Sequence, residues 1–243
     1  AVFAANYPTT IGAYSSNFNT GAGNYMDVAI SKFSPDGTQL LYSTYIGGSG
    51  QETPHSLIAD DQDNFIVFGV TGSAEYPTTA GAYQSAFIGG PSLPMNTFFT
   101  SSHPNGTDLF ITKFSSTGAL LQSTFLGGTS NDGLNYADQL FYNYGDAFRG
   151  EVNTDALGNI YVASVTRSAD FPVVGAANAP QNTFAGGECD GIICKLNSNL
   201  SNIIWSTFVG GSANEACYSL EITSAGEILI AGGTQSADFP YIT

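Results

Sequence analysis

Short apolar runs alternate with turns rich in Gly, Pro, Asn and Asp along the whole chain, and three of the runs spell nearly the same words. Asp27-Val28-Ala29-Ile30-Ser31-Lys32-Phe33 leads to Ser43-Thr44-Tyr45-Ile46-Gly47-Gly48. Asp108-Leu109-Phe110-Ile111-Thr112-Lys113-Phe114 leads to Ser123-Thr124-Phe125-Leu126-Gly127-Gly128. Asp190-Gly191-Ile192-Ile193-Cys194-Lys195-Leu196 leads to Ser206-Thr207-Phe208-Val209-Gly210-Gly211. A second marker recurs as Ala74-Glu75-Tyr76-Pro77, Ala169-Asp170-Phe171-Pro172 and Ala237-Asp238-Phe239-Pro240, with a partial copy at Asn6-Tyr7-Pro8. A unit of about 80 residues made of short strands and turns predicts blades of a propeller or turns of an array. No stretch has the apolar spacing of an amphipathic helix.

Each unit reads as two hairpins. Lys32-Phe33-Ser34 enters the turn Pro35-Asp36-Gly37 and returns through Leu40 to Tyr45; Pro presets φ and Gly tolerates a positive one. Ser56 to Ala59 turns at Asp60 to Asn64 and returns through Phe65 to Phe68. The equivalent inner turns are Asp155 to Asn159 and Thr223 to Glu227. Four antiparallel strands are the content of one propeller blade. The phase follows from reach. The roughly seven residues after Gly47-Gly48 span about 23 Å, more than the ~14 Å across three strand gaps, so they connect an outermost strand to the next innermost one. The Ser56 strand is then innermost and the Leu120 strand outermost. The chain is expected to hold half a blade, two whole blades and another half. The first turn departs from the pattern at Ser115-Ser116-Thr117-Gly118 and at Asn197-Ser198-Asn199-Leu200, which lacks Gly.

These words resemble the seven-bladed β-propeller (SBBP) repeat of large secreted or surface-anchored bacterial proteins, many of them similar to cargo of the type IX secretion system. The resemblance covers essentially the whole chain. It implies an all-β fold of four-stranded antiparallel blades, a secreted or cell-surface address and no shared catalytic motif. Residues 1–243 are read as a single propeller segment, with units of about 7–75, 76–170 and 171–238. The start without Met and the stop just after a marker suggest a piece of a longer parent protein with other domains.

Composition narrows the function. A formal net charge of −15 with 5 Lys+Arg excludes a nucleic-acid phosphate track and disfavours an anionic membrane surface. No apolar run approaches a membrane span, so no membrane insertion is expected. Acidity leaves Ca²⁺ as a conceivable cofactor, with Asp60, Asp61 and Asp63 as the candidate loop; the alternative is an Asp-started hairpin turn, which Asp155 repeats. Lys32, Lys113 and Lys195 are the only lysines and share one repeat position, which predicts a repeated structural ion pair. The marker acids or Glu52 and Glu215 are the expected partners. Cys189 and Cys217 form a conceivable disulfide, whereas Cys194 replaces Ser31 and Thr112 and reads as a core residue. His55 and His103 stand without metal spacing and read as loop or surface residues. The Gly-Gly pairs read as bends at the end of the outer strand.

The strongest functional signal is two insertions. From the Tyr-Pro marker to the next Asp takes 32 residues in the middle copy, against 20 and 19 elsewhere. From the Gly-Gly pair to the inner turn takes 27, against 12 and 12. The added segments carry Phe98, Phe99 and His103, and Tyr136, Phe141, Tyr142 and Tyr144. In an up-down blade both connections leave from the same end. Aromatic loops on a rigid scaffold fit a surface glycan or a protein partner. The expected function is non-enzymatic adhesion or scaffolding. Two alternatives stand beside it. One is a polysaccharide-active enzyme pairing Asp132 with Asp138 or Asp146 at about 5 to 10 Å. The other is an extracellular assembly in which terminal half-blades pair between chains.

Overall fold

A computed structural model describes residues 5–19, 21, 26–94, 102–137, 140, 146–175 and 180–239. Twelve strands occur in chain order: β1 (Val28–Phe33), β2 (Leu40–Ile46), β3 (Glu52–Ala59), β4 (Phe65–Thr71), β5 (Asp108–Phe114), β6 (Leu120–Leu126), β7 (Glu151–Thr154), β8 (Ile160–Thr166), β9 (Asp190–Leu196), β10 (Ile203–Val209), β11 (Glu215–Ile222) and β12 (Ile228–Thr234). A 3₁₀ turn over Asp146–Phe148 is the sole helical element among the described residues. No helix among them is long and apolar enough to cross a membrane.

The strands form four antiparallel sheets. Two are complete, β3-β4-β5-β6 and β7-β8-β9-β10; they are preceded by the pair β1-β2 and followed by the pair β11-β12. This is the strand phase that the reach of the Gly-Gly connection predicts.

The sheets stack face to face in chain order. Val28, Ile30, Tyr42 and Ile46 of the first sheet join Phe65, Val67, Phe110, Phe114 and Phe125 of the second in one apolar cluster. Ile66, Phe68, Leu109 and Ile111 of the second join Val152, Val162, Ile192 and Cys194 of the third. Tyr161, Ala163 and Ile193 join Cys217 and Leu220 of the fourth. Every position of β4, β5 and β8 is buried, because both faces of these middle strands are covered. Each fully buried Val, Leu, Ile or Phe contributes about 1.5–3 kcal/mol.

Markers and turns fasten the stack. Tyr76 stacks on Phe110 at 4.6 Å and shares a 2.9 Å hydrogen bond with Thr112. The turn without Gly is solved differently from its neighbours. Leu200 takes φ +55°, where Gly37 and Gly118 take +72° and +91°. Leu200 is fully buried, and its carbonyl accepts Tyr83 N at 2.8 Å.

The lysine position is a structural ion pair with a different partner from those expected. Lys113 Nζ lies 2.8 Å from Asp60 Oδ2, and Lys195 Nζ lies 3.0 Å from Asp155 Oδ2. The acid is the first residue of the neighbouring hairpin turn, brought alongside because β4 pairs with β5 and β8 with β9. The marker acids are engaged elsewhere: Asp170 Oδ1 accepts Thr129 N at 2.9 Å, Asp238 Oδ1 accepts Ser212 N at 2.9 Å, and Glu75 accepts Ser49 N. Lys32, whose sheet has no such turn beside it, donates to Ser116 O at 3.3 Å. Cys189, Cys194 and Cys217 are free, buried thiols, and Cys194 belongs to the core cluster.

Candidate functional site

The chain from Thr71 to Asp108 and from Leu126 to Glu151 leaves the second sheet at one end, because β4 and β6 run the same way between antiparallel partners. The tight turns and the lysine–aspartate pairs occupy the other end. Within the loop-bearing end the two enlarged connections touch. Asn131 Nδ2 donates to Pro91 O at 3.1 Å, and Asn131 Oδ1 accepts Thr107 N at 3.0 Å. Thr107 Oγ1 donates to Asp132 O at 2.9 Å. The first insertion is itself folded by the bridge Leu93↔His103.

Tyr136 stands where these segments meet. Asn131 Nδ2 donates to its hydroxyl at 3.2 Å, and the Arg167 guanidinium lies 3.5 Å from its ring centroid. Arg167 Nη2 bonds the exposed Glu188 Oε2 at 3.0 Å. Burial raises the Tyr136 phenol above its usual range. Nearby, Asn135 Nδ2 donates to Tyr218 OH at 3.0 Å, which donates to Leu140 O at 3.1 Å. This ties the second insertion to the fourth sheet. Phe98, Phe99, Phe141, Tyr142 and Tyr144 lie outside the described residues. Of the seven aromatic and His candidates, the structure places Tyr136 and His103.

His103 lies in the inserted loop, as one of the two expected settings has it, but it is buried there rather than at the surface. It is 1 % exposed, and neither ring nitrogen has a hydrogen-bond partner. Desolvation disfavours its charged form and lowers its pKa to about 4. His55 is half-buried in β3 with both ring nitrogens shielded, edge-on to Phe68 at 5.6 Å, with a pKa lowered to about 3. Both are neutral packing residues.

The acidic turn closes on itself. Asp60 Oδ1 accepts Gln62 N at 3.0 Å and Asn64 N at 2.9 Å; Oδ2 takes Asn64 Nδ2 and Lys113. Asp63 adopts φ +61°. No group of three or more His, Cys, Asp or Glu among the described residues could hold a metal ion.

Sequence reasoning passed over a set of buried carboxylate pairs. Asp27 faces Glu52, Asp108 faces Asp132, and Asp190 faces Glu215, each pair across the first Gly of a Gly-Gly step. A Cβ on Gly47 would stand 2.6 Å from both Asp27 Oδ1 and Glu52 Oε2. On Gly127 it would stand 2.8 Å from Asp108 Oδ1 and 2.6 Å from Asp132 Oδ2. These glycines, at the end of each outer strand, are therefore needed for space, and none has a positive φ. The second acid of each pair ties the neighbouring elements. Glu52 Oε2 accepts Gly48 N at 3.0 Å while Oε1 accepts Thr71 Oγ1 at 2.7 Å. Asp132 accepts Gly128 N at 2.8 Å, Ser168 Oγ at 3.0 Å and Thr166 Oγ1. Glu215 accepts Gly211 N and Thr234 Oγ1, at 2.7 and 2.6 Å. Desolvation raises the pKa of Glu52 to about 7 and of Asp132 to about 8, and of Asp108 and Asp190 to about 6. The legible signal was a carboxylate four residues after the Gly-Gly pair that ends each Ser-Thr word: Glu52 after Gly48, Asp132 after Gly128 and Glu215 after Gly211.

Asp132 thus faces Asp108. Asp138 lies outside the described residues, and Asp146 is described in its backbone alone. The Asp108–Asp132 pair has no exposed surface, and its repetition in three places matches a structural lock. No family model matches this chain, and no curated protein matches it.

Proposed function

We propose that this chain is a segment of a secreted or surface-anchored bacterial β-propeller of the SBBP type. Its loop-bearing end binds a surface glycan without catalysis. One observation carries this reading: the two enlarged, aromatic connections meet at one end of the second sheet, around a Tyr136 ring held in place by Arg167 and Asn131. A ring, a planar donor and the Glu188 carboxylate are groups that grip sugar C–H faces and hydroxyls. The orderly stack of four-stranded sheets and their half-sheets supports the propeller. The net charge of −15 favours a neutral or basic ligand. Ca²⁺ and other domains of a longer parent are compatible additions.

A polysaccharide-active enzyme is the alternative, and the facing carboxylates are the observation in its favour. Their burial and their donors of Ser, Thr and backbone N–H fit a lock better than a cleft.

An immobilised panel of neutral polysaccharides tests the reading. The wild-type chain is expected to bind at least one member. Arg167→Ala and the double variant Tyr142→Ala/Tyr144→Ala are expected to bind it about tenfold more weakly, roughly 1.4 kcal/mol, with unchanged melting. Equal binding by all three proteins rules out the loop-bearing end. Release of reducing sugar that Asp132→Asn abolishes establishes the enzyme instead.

A further inference from the structure

The segment that follows each Tyr-Pro or Phe-Pro marker lies against an outer strand through the same bonds. Ser15, Gln84 and Gln181 donate their N–H groups to Thr44, Thr124 and Thr207 Oγ1 at 2.9, 2.9 and 3.1 Å. Their carbonyls accept Tyr45, Phe125 and Phe208 N at 3.0, 3.0 and 3.1 Å. One backbone frame is repeated three times, but the side chain it carries changes.

In the second and third units a glutamine carboxamide joins a buried acid to a glycine. Gln84 Nε2 donates to Asp108 Oδ2 at 3.0 Å and to Ala86 O at 3.1 Å, and Oε1 accepts Gly127 N at 3.1 Å. Gln181 makes the same bonds to Asp190 Oδ2, Thr183 O and Gly210 N, at 3.1, 3.0 and 2.9 Å. Ser15 is too short to do this. Its Oγ donates to Asn17 O at 3.1 Å, the counterpart of the Ala86 and Thr183 carbonyls, and reaches neither the acid nor the glycine. Gly47 N therefore has no hydrogen-bond partner among the described residues. The Asp27 carboxylate receives one donor, Asn19 N at 2.7 Å, where Asp108 receives Gln84 Nε2, Ile88 N and Gly89 N. Asp27 is 1 % exposed, and its Oδ1 has no partner. Buried polar groups left without partners are costly.

A pocket of about 560 Å³ opens at this place, walled by Ser15, Gly47, Tyr14, Phe18 and Pro77. Pro77 belongs to the marker that follows β4, so the pocket lies at the junction of the first two units, with both walls supplied by this chain. We propose that it binds a 2-acetamido sugar, whose acetamido carbonyl accepts Gly47 N and whose N–H donates to Asp27 Oδ2.

The chain supplies its own template, because the same acid and glycine are met twice elsewhere by an amide. Ser15 already satisfies Asn17 O, so the remaining demand is for one N–H and one C=O. A secondary amide meets it with no donor left idle. An ammonium or guanidinium would answer Asp27 but leave Gly47 N unmet, and an anion would face a carboxylate. The volume exceeds what a carboxamide fills and admits a monosaccharide. The Tyr14 and Phe18 rings suit the C–H face of a pyranose and the acetamido methyl. Asn17 and Asn19, exposed residues of the same wall, suit its hydroxyls. The site belongs to the first sheet and shares no residue with the Tyr136 and Arg167 cluster.

Saturation-transfer NMR of the full chain with N-acetylglucosamine tests this, with glucose and glucosamine as comparisons. N-acetylglucosamine is expected to bind with a Kd on the order of 1 mM, with the strongest transfer to its acetamido methyl, and the other two sugars about tenfold more weakly or less. Ser15→Gln, which places the carboxamide of the other two units in the pocket, is expected to weaken binding about tenfold or more and to raise the melting temperature. Ser15→Ala, which leaves the pocket open, is expected to bind within a factor of about two of wild type. Glucose binding as well as N-acetylglucosamine, unchanged binding by Ser15→Gln, or an equal loss in Ser15→Ala overturns the inference. Binding that Arg167→Ala removes and Ser15→Gln spares belongs to the second sheet and overturns it too. Binding that Ser15→Gln removes and Arg167→Ala spares upholds it, whatever the second sheet binds.

Discussion

Leu200 occupies a backbone conformation that its two repeat counterparts reserve for Gly. A non-Gly residue at positive φ costs about 1–2 kcal/mol, and full burial of the leucyl side chain in the core offsets that cost. Cutting the side chain while retaining the Cβ therefore combines both penalties. Leu200→Ala is expected to destabilise the protein by about 2–5 kcal/mol. Leu200→Gly, which loses the same contacts but relieves the backbone, is expected to be less harmful by about 1 kcal/mol. Denaturant unfolding of the two variants checks the order, and an Ala variant more stable than the Gly variant contradicts it.

At the scale of elements, each complete sheet is fastened at its tight-turn end by a lysine reaching from one hairpin to the acid that starts the next turn. The Lys113 and Asp60 side chains are 8 % and 3 % exposed, while Lys195 and Asp155 are 17 % and 18 %. The less solvated pair is screened less. A double-mutant cycle with Lys113→Met and Asp60→Asn is expected to give a coupling of about 1–3 kcal/mol, and the Lys195–Asp155 cycle a smaller one. Equal couplings would count against solvent screening as the difference. The strands, their order and the half-sheets at each end were legible because the repeat fixes phase and the connection lengths allow one crossing. The partners of the lysines were not, because Asp60 and Lys113 lie far apart in sequence and meet through the β4–β5 pairing alone. The carboxylate pairs escaped for a related reason. Asp108 and Asp132 belong to different words of the repeat, and their burial comes from stacking of sheets that no single word encodes. Tyr136 was legible as an aromatic in an insertion, but its hold by Arg167, which follows β8, was not.

For the whole molecule, the locks between sheets make stability depend on pH. Asp132, Glu52, Asp108 and Asp190 have folded-state pKa values of about 8, 7, 6 and 6, well above the ordinary carboxylate range. The folded protein therefore holds protons that the unfolded chain has released, and its stability falls as pH rises from about 4 to 8. His55 and His103, lowered to about 3 and 4, act in the opposite sense, withdrawing stability as pH falls below the ordinary histidine value. Four carboxylates outweigh two imidazoles between pH 5 and 8, so the melting temperature is expected to be higher at pH 5.5 than at pH 8. Asp132→Asn is expected to shrink that difference; a variant with the full difference would show that Asp132 does not hold the proton. The stacking order has a mechanical consequence as well. Each sheet rests on the sheets before and after it in the chain, so pulling on the two ends loads the interfaces in series. Tension would peel away one sheet at a time, in a staircase of rips in which each four-stranded sheet releases on the order of 20–30 nm of extended backbone and each two-stranded sheet a smaller step.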